Sequence, residues 1–446
     1  VSEILEIDLP MSTFEKNCLI HDVLGVGFGP SNLAFAIAHE EADSQLDVRF
    51  LEQADGPNWQ PGMLLDGSDI QNNPLRDLVT PRNPKSHYTF INYLKSEGRL
   101  YDYLNLGILY PLRKDYAKYI TWAAQFFSER VTYGTRVSSV EYDRDLHCWT
   151  ARSDKDRFLA RSLLVGTGRS RNVPEVFAPH LGGRVFHLCD YRPAMKALAP
   201  GLHSIAVVGS SQSAVEIHLD LLASYPHAHI HAIHRGYAMR QKDTSPFSDH
   251  VYFPEFIDYF FSVSDTSRLE LERQLRPTNY GTADIDVLHK LYLTLYEERL
   301  EGRNRFRISN NTEVVSVRPS ADGVALELRE RFLDRTSELY VDAVVLATGF
   351  KDLGSGEGKE HFPALLAGVA DGLGRRADGA LCVERDYSVA SESGLRIYLN
   401  GLCESSHGLG DAGSFSLLSL RSSEILASME RDVAGFASRA LRRASA

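Results

Sequence analysis

The stretch Val23-Leu24-Gly25-Val26-Gly27-Phe28-Gly29-Pro30-Ser31-Asn32-Leu33 constrains this chain more than any other. An apolar strand that ends in glycines and opens into an apolar helix, expected here over 33–39, is how a βαβ unit receives a pyrophosphate. Gly25 permits the tight turn. Gly27 lets backbone N–H groups approach phosphate oxygens, and the new helix points its positive end at them. A strand expected over Leu46–Leu51 then delivers Glu52 to the place where such folds set a carboxylate against a ribose hydroxyl. Pro30 replaces the usual third glycine, and glycine turns also occur in ordinary loops, so the rest of the chain has to decide.

At 446 residues the chain is too long for one core, and two or three domains are expected. No apolar run approaches the ~18–20 residues that span a bilayer. The first 20 residues, with Glu3, Glu6, Asp8 and Glu15, carry no basic-then-apolar leader pattern, so a cytoplasmic location is expected. A formal charge of −11 argues against nucleic acid as a partner, and an anionic substrate would need a local basic cluster. The five cysteines are scattered without a C-x-x-C, and His87, His229, His231 and His234 lack ligand spacing. Reduced thiols and no metal site follow.

Residues 1–20 read as an extension or edge element. After the first βαβ unit comes a long turn-rich passage, 53–84, whose interleaved aromatics argue for an ordered functional loop. Helical spacing follows over Tyr88–Lys95 and Arg113–Phe127, and strands over 131–168. The runs Leu163-Leu164-Val165 before Gly166-Thr167-Gly168 and Val344-Val345-Leu346-Ala347 before Thr348-Gly349-Phe350 resemble crossovers between two nucleotide units. Between them Ile205–Val208 leads into Gly209-Ser210-Ser211-Gln212-Ser213-Ala214, a phosphate turn with small residues in the later glycine positions. The strand His229–Ile233 then ends near Arg235. A basic residue there suits a 2′-phosphate, and so NADPH over NADH, although a surface charge would look the same. Residues 250–305 are rich in Tyr, Phe, Leu, Glu and Arg, with 3.6 spacing over Asp284–Arg299, and read as a small helical insertion.

The expected fold class is therefore α/β, with two Rossmann-like dinucleotide-binding domains and a small helical substrate domain. The first domain would take 1–200 and 346–446, the second 201–249 and 306–345, and the insertion 250–305. Two nucleotide folds, the first closed by the C-terminal part, imply electron transfer from a nicotinamide to a flavin.

The motifs Gly25-x-Gly27-x-Gly29-Pro30, Trp59-x-x-Gly62-Met63, Leu75-x-Asp77-Leu78-Val79-Thr80-x-Arg82-Asn83-Pro84, Gly209-x-x-Gln212-Ser213-Ala214, Ser245-Pro246-Phe247, Thr278-Asn279-Tyr280, Ala347-Thr348-Gly349-Phe350 and His407-Gly408-Leu409-x-Asp411 follow in that order. Together they resemble the flavin-dependent N-hydroxylating monooxygenases, the ornithine and lysine hydroxylases of siderophore pathways and their relatives. The resemblance implies FAD and NADPH as cofactors, O2 as co-substrate, and attack of an uncharged amine on a C4a-hydroperoxyflavin. It places Gln60 and Asn279 as catalytic residues at the flavin–nicotinamide–substrate junction. FAD would be held by Gly25, Gly27, Gly29, Pro30, Glu52, Trp59, Gln60, His407 and Leu409. NADPH would be held by Gly209, Ser211, Gln212, Ser213, Arg235, Arg240, Ser245, Ala347, Thr348 and Gly349. A small amino acid is the implied partner, and members of the family are often oligomeric.

The chain departs from this family at three substrate positions. Arg76 stands for a lysine, Asp249 for an asparagine, and Gly408-Leu409-Gly410-Asp411-Ala412-Gly413-Ser414-Phe415-Ser416 for a Gly-Leu-x-Asp-x-Leu-Leu-Ser segment. Arginine forks match carboxylates bidentately. Arg76, Arg82, Arg240, Arg273, Arg276 and Arg421 all belong to elements that would converge at the junction, with Gln71, Asp249 and Asn279 completing the substrate set. Such a cluster would suit a dicarboxylate, and the expectation that follows is the L-aspartate N-hydroxylase branch, which forms nitrosuccinate. The alternative is an L-ornithine or L-lysine side-chain hydroxylase, with Arg76 on the carboxylate and Asp249 on the ammonium.

Overall fold

Hydrophobic strands buried on both faces organise the molecule, because a parallel sheet covered by helices leaves no side for water. The computed structural model describes residues 19–198 and 200–444. The extension expected over 1–20 therefore lies almost wholly outside the described residues. In the first sheet Ile20–Val26 pairs in parallel with Val48–Leu51 on one side and Arg157–Val165 on the other. Val23, Leu24, Leu163, Leu164 and Val165 are all fully buried. Ile397–Leu399 joins in parallel beside Arg157–Val165, so the C-terminal part closes the first unit. The helix Pro30–Glu41 covers this sheet, and the long helix Leu418–Ala444 packs along it.

The second sheet runs in the order Phe306–Ser309, His229–Ile233, Ser204–Val208, Ala343–Leu346, Val185–His187, all parallel. Its edge strand Val185–His187 precedes the boundary expected at 200. The first unit therefore ends earlier, at the crossover where Arg171 bridges Phe350. An antiparallel three-stranded sheet over Thr312–Pro319, Val324–Glu330 and Arg335–Val341 is attached to the second unit.

The insertion expected over 250–305 does not form one body. Pro254–Ser262 and Asp265–Leu275 lie against the short helix Glu404–His407 of the returning chain. Ile285–Leu300 packs instead on Gln212–Ser224, the helix of the second phosphate turn. A buried ion pair joins the two nucleotide units directly. Arg113, on the helix Arg113–Gln125, donates to both oxygens of Glu216, on the helix Gln212–Ser224, at 2.7 and 3.1 Å. Both side chains are buried, at 9% and 4% exposure.

Candidate active site

The two phosphate turns open into one continuous cleft of about 2830 Å³. That is several times the roughly 300–1,000 Å³ of a site for one small molecule, so it has room for two nucleotides and a substrate. At the first turn Gly27 has φ +86°, and a Cβ there would lie 2.6 Å from the Gly166 carbonyl oxygen. Gly25 is required by packing, since its Cβ would meet the Phe50 ring at 2.3 Å. Gly29 lies on the cleft with nothing within 4 Å of a Cβ, and Pro30 opens a helix with no side-chain cap. The first-turn N–H groups are thus left for an anion. Glu52 reaches the cleft wall, where it accepts from Phe28 N–H at 2.6 Å and Ala54 N–H at 2.9 Å. Trp59 stands edge-on to Phe415 at 5.5 Å and Tyr116 at 6.0 Å. Gln60 lies on the cleft with φ +47°, a strained conformation for a side chain of its kind.

The second turn repeats the first. Gly209 has φ +141°, and a Cβ there would lie 2.4 Å from the Ala347 carbonyl oxygen. Ser211 is an N-cap whose own side chain makes no cap hydrogen bond. Ser213, Ala347, Thr348 and Gly349 line the cleft with it. Gln212 acts as a brace, since it accepts from Asp284 N–H at 2.9 Å and donates to Glu216 at 3.0 Å. Arg235 is at the rim, 70% exposed and 3.3 Å from Glu357. These turns fit the two pyrophosphates that the motifs imply.

Several expected ligands lie elsewhere. Arg240 and Ser245 are not on the cleft wall; Lys242 and Thr244, between them, are. The Ser245 hydroxyl is occupied by Phe247 N–H at 3.3 Å. His407 is buried away from the cleft, stacked on Tyr387 at 4.0 Å, with Nδ1 on Ser406 and Nε2 on the Arg385 carbonyl. Burial lowers its pKa to about 4, so it is a neutral packing residue. Leu409 is also buried off the cleft; its carbonyl accepts from Asn279 Nδ2 at 3.5 Å. Arg421 touches the cleft, but its guanidinium is tied up in the floor. It is 1% exposed, and its nitrogens are taken up by Asp411 at 2.7 Å, Asn400 at 2.8 Å and Ser31 at 3.2 Å. It braces the floor beneath the first turn.

The remaining substrate residues do converge. Arg76, Gln71, Asp249, Asn279 and Arg276 all line the cleft. Arg76 Nη1 donates to Ser416 Oγ at 3.3 Å and lies over the Tyr252 ring at 5.8 Å. Asp249 and Arg76 act with opposite sign on the same two phenols, Tyr252 and Tyr110, whose pKa values burial raises. Gln71 donates to Asp284. The expected cluster of arginines, however, is not assembled. Arg82 pairs with Glu41, Arg273 with Glu270, Arg276 with Glu272 and Arg421 with Asp411. Arg240 is exposed and off the cleft. Arg76 is the member of that set that lines the cleft with no carboxylate partner among the described residues.

One group was not anticipated. Arg169 Nη1 donates to the Tyr280 hydroxyl and to Asp352, both at 2.9 Å, and stands 3.5 Å from Glu404. Tyr280 donates to Glu404 Oε1, which also accepts Gly413 N–H at 2.8 Å. Burial pushes the Glu404 carboxyl well up, against the opposing pull of Arg169. No local spacing announces this group, because its members come from four distant segments. Among the described residues no set of three or more His, Cys, Asp or Glu side chains could hold a metal, and no helix is long and apolar enough to cross a membrane.

Residues 19–352 match the family model described as L-lysine 6-monooxygenase/L-ornithine 5-monooxygenase. The chain is 34% identical to an L-ornithine N(5)-monooxygenase of Pseudomonas aeruginosa, covering 97% of this chain and 98% of the relative. It belongs to this family. It is a flavin-dependent N-hydroxylating monooxygenase. An L-ornithine N(5)-monooxygenase of Burkholderia cepacia is 36% identical over 87% of this chain and 90% of its own. Among solved structures, an ornithine N-hydroxylase of Kutzneria sp. 744 with reduced FAD, NADP+ and L-ornithine superposes with a TM-score of 0.86 at 30% identity, covering 93% of this chain and 99% of that one. The ornithine hydroxylase of Pseudomonas aeruginosa gives 0.84 at 33% identity, covering 93% and 100%.

Proposed function

We propose that this N-hydroxylase holds FAD in its first unit and NADPH in its second, and oxidises the side-chain amine of a basic α-amino acid, with L-ornithine first and L-lysine next. The observation that carries the choice is charge. Arg76, whose guanidinium has no carboxylate partner among the described residues, and the Asp249 carboxylate line the same cleft and act on the same Tyr252 ring, and that pairing of charges suits a zwitterionic head group. Bound FAD and NADPH supply two-electron reduction and oxygen activation. Arg76 binds the α-carboxylate through its planar fork, and Asp249 takes the α-ammonium. Asn279 and Gln60 present amides to the far end of the substrate. The reacting nitrogen starts as an ammonium of pKa ~10.4 and has to release a proton before it can act as a nucleophile. Enclosure beside Gln60 by Trp59, edge-on to Phe415, disfavours its charged form.

A second reading, L-aspartate oxidised at its α-amine to nitrosuccinate, is favoured by Arg76 itself, which replaces the family's lysine with a bidentate fork. An α-amine, starting near ~8, also sheds its proton more easily. Against it, a second carboxylate would meet Asp249 with no further unpaired arginine from the expected set. Purified protein supplied with NADPH and O2 is offered ornithine, lysine, aspartate, glutamate and simple diamines, and hydroxylamine and nitroso products are measured per NADPH. Hydroxylamine from ornithine or lysine is expected. Nitroso product from aspartate alone would replace the first reading with the second.

A further inference from the structure

Glu404 has no part in the reaction as described, yet it joins three residues that line the cleft, Tyr280, Gly413 and Arg169. It lies on the short helix Glu404–His407, which belongs to the returning chain. Its side chain is 5% exposed. Oε1 is reached from two directions, by the Tyr280 hydroxyl and by Gly413 N–H at 2.8 Å. Oε2 is buried with no hydrogen-bond partner and faces Arg169 at 3.5 Å. Arg169 follows the first crossover, and its other carboxylate partner, Asp352, follows the second.

Space around this carboxyl is fully used. A Cβ at Gly413 would lie 2.1 Å from the Tyr280 hydroxyl, 2.8 Å from Asn279 Nδ2 and 3.0 Å from Glu404 Oε1. The Asn279–Tyr280 turn and the Gly413 backbone are therefore pressed together, with Glu404 as their common acceptor. Neither segment has a regular ladder to hold it. Asn279 follows a single 3-10 turn, Arg276–Thr278, and 411–416 is irregular. Ser414 and Ser416, just beyond Gly413, bond each other at 2.8 Å, and Ser416 accepts from Arg76. The chain of contacts thus runs from Tyr280, next to Asn279, through Glu404 and Gly413 to Ser414, Ser416 and Arg76.

We propose that Glu404 is a positioning residue for N-hydroxylation: its carboxyl clamps the Asn279–Tyr280 turn to the Gly413–Ser416 segment and so fixes the distance between the amide at the reacting end of the cleft and the Arg76 seat. The proposal rests on the assignment of Asn279 and Arg76 to the substrate made above. Removing a shared acceptor strands two donors in a buried site, whereas an amide of the same shape can still accept from both.

The test uses flavin-loaded full-length protein carrying Glu404→Ala, Glu404→Gln or Tyr280→Phe. Amide hydrogen exchange is read over 276–282 and 411–417, with 212–224 as internal reference. In Glu404→Ala exchange in both segments should rise about tenfold while the reference stays unchanged. The KM for the preferred amino acid should rise about tenfold, and product per NADPH should fall, with flavin reduction by NADPH kept within about twofold. Glu404→Gln should return both readouts to within about threefold of wild type. Unchanged exchange in both segments, or Glu404→Gln as defective as Glu404→Ala, overturns the clamp. If Glu404→Ala does not fold, Tyr280→Phe removes one of the two bonds, and faster exchange in 276–282 is required of it. Wild-type protein that makes no hydroxylamine from any amine overturns the function proposed above, whereas the exchange measurement judges the clamp alone.

Discussion

Arg76 is the side chain whose loss should separate substrate recognition from cofactor chemistry. A charge-assisted hydrogen bond contributes roughly 1.5–3 kcal/mol, so Arg76→Ala should raise the amino-acid KM by about 10- to 100-fold. NADPH oxidation by O2 without amino acid should persist, as steady-state kinetics with and without substrate would reveal. An unchanged KM would move the carboxylate seat elsewhere. His218 makes a different prediction. It is fully buried, neither ring nitrogen has a hydrogen-bond partner, and its edge lies against Phe306 at 5.0 Å. Burial lowers its pKa from 6.5 to about 3. The unfolded chain then binds a proton that the folded chain refuses. Stability is complete above pH 6.5, declines as pH falls through the window down to about 3, and levels below it. His218→Leu should flatten that acid limb in urea melts at pH 4–7. Residue roles were the least legible part of the sequence. His407 stands in a motif, and Arg421 in an element, expected to supply ligands, but Tyr387 and Asp411 hold them inside the fold.

At the level of elements the sequence was far more transparent. A strand that ends in glycines and starts a helix is a local pattern, and both phosphate turns formed where that pattern placed them. Gly27→Ala should give protein that loses its yellow flavin on gel filtration, since a Cβ meets a carbonyl at 2.6 Å in a backbone conformation that costs other residues about 1–2 kcal/mol. Gly209→Ala should keep the flavin and weaken NADPH, measured as the KM of flavin reduction. Retained flavin in the first variant, or lost flavin in the second, would contradict the division of labour between the turns. Helix 285–300 shows the limit of such patterns. Its 3.6 spacing was visible, but which body it would pack on was not, because periodicity marks an apolar face without naming its partner.

For the whole molecule, the buried Arg113–Glu216 pair carries the largest expected effect. Its partners are 103 residues apart in sequence, so no local reading could have joined them. Removing one partner of a buried ion pair leaves an uncompensated charge and costs about 3–5 kcal/mol. Arg113→Ala should therefore lower the melting temperature by about 3–5 °C. The double variant Arg113→Ala/Glu216→Ala should recover part of that loss, and simple additivity in calorimetry would refute direct coupling.

The floor under the first turn has a consequence for how the molecule is made. Ser31 is held by Asn400 through its carbonyl and by Arg421 through its hydroxyl. A ribosome emits Ser31 of the glycine loop 369 residues before Asn400. Pigment capture then waits for Asn400 and Arg421 to emerge, and a growing chain halted before Asn400 should leave the exit tunnel colourless.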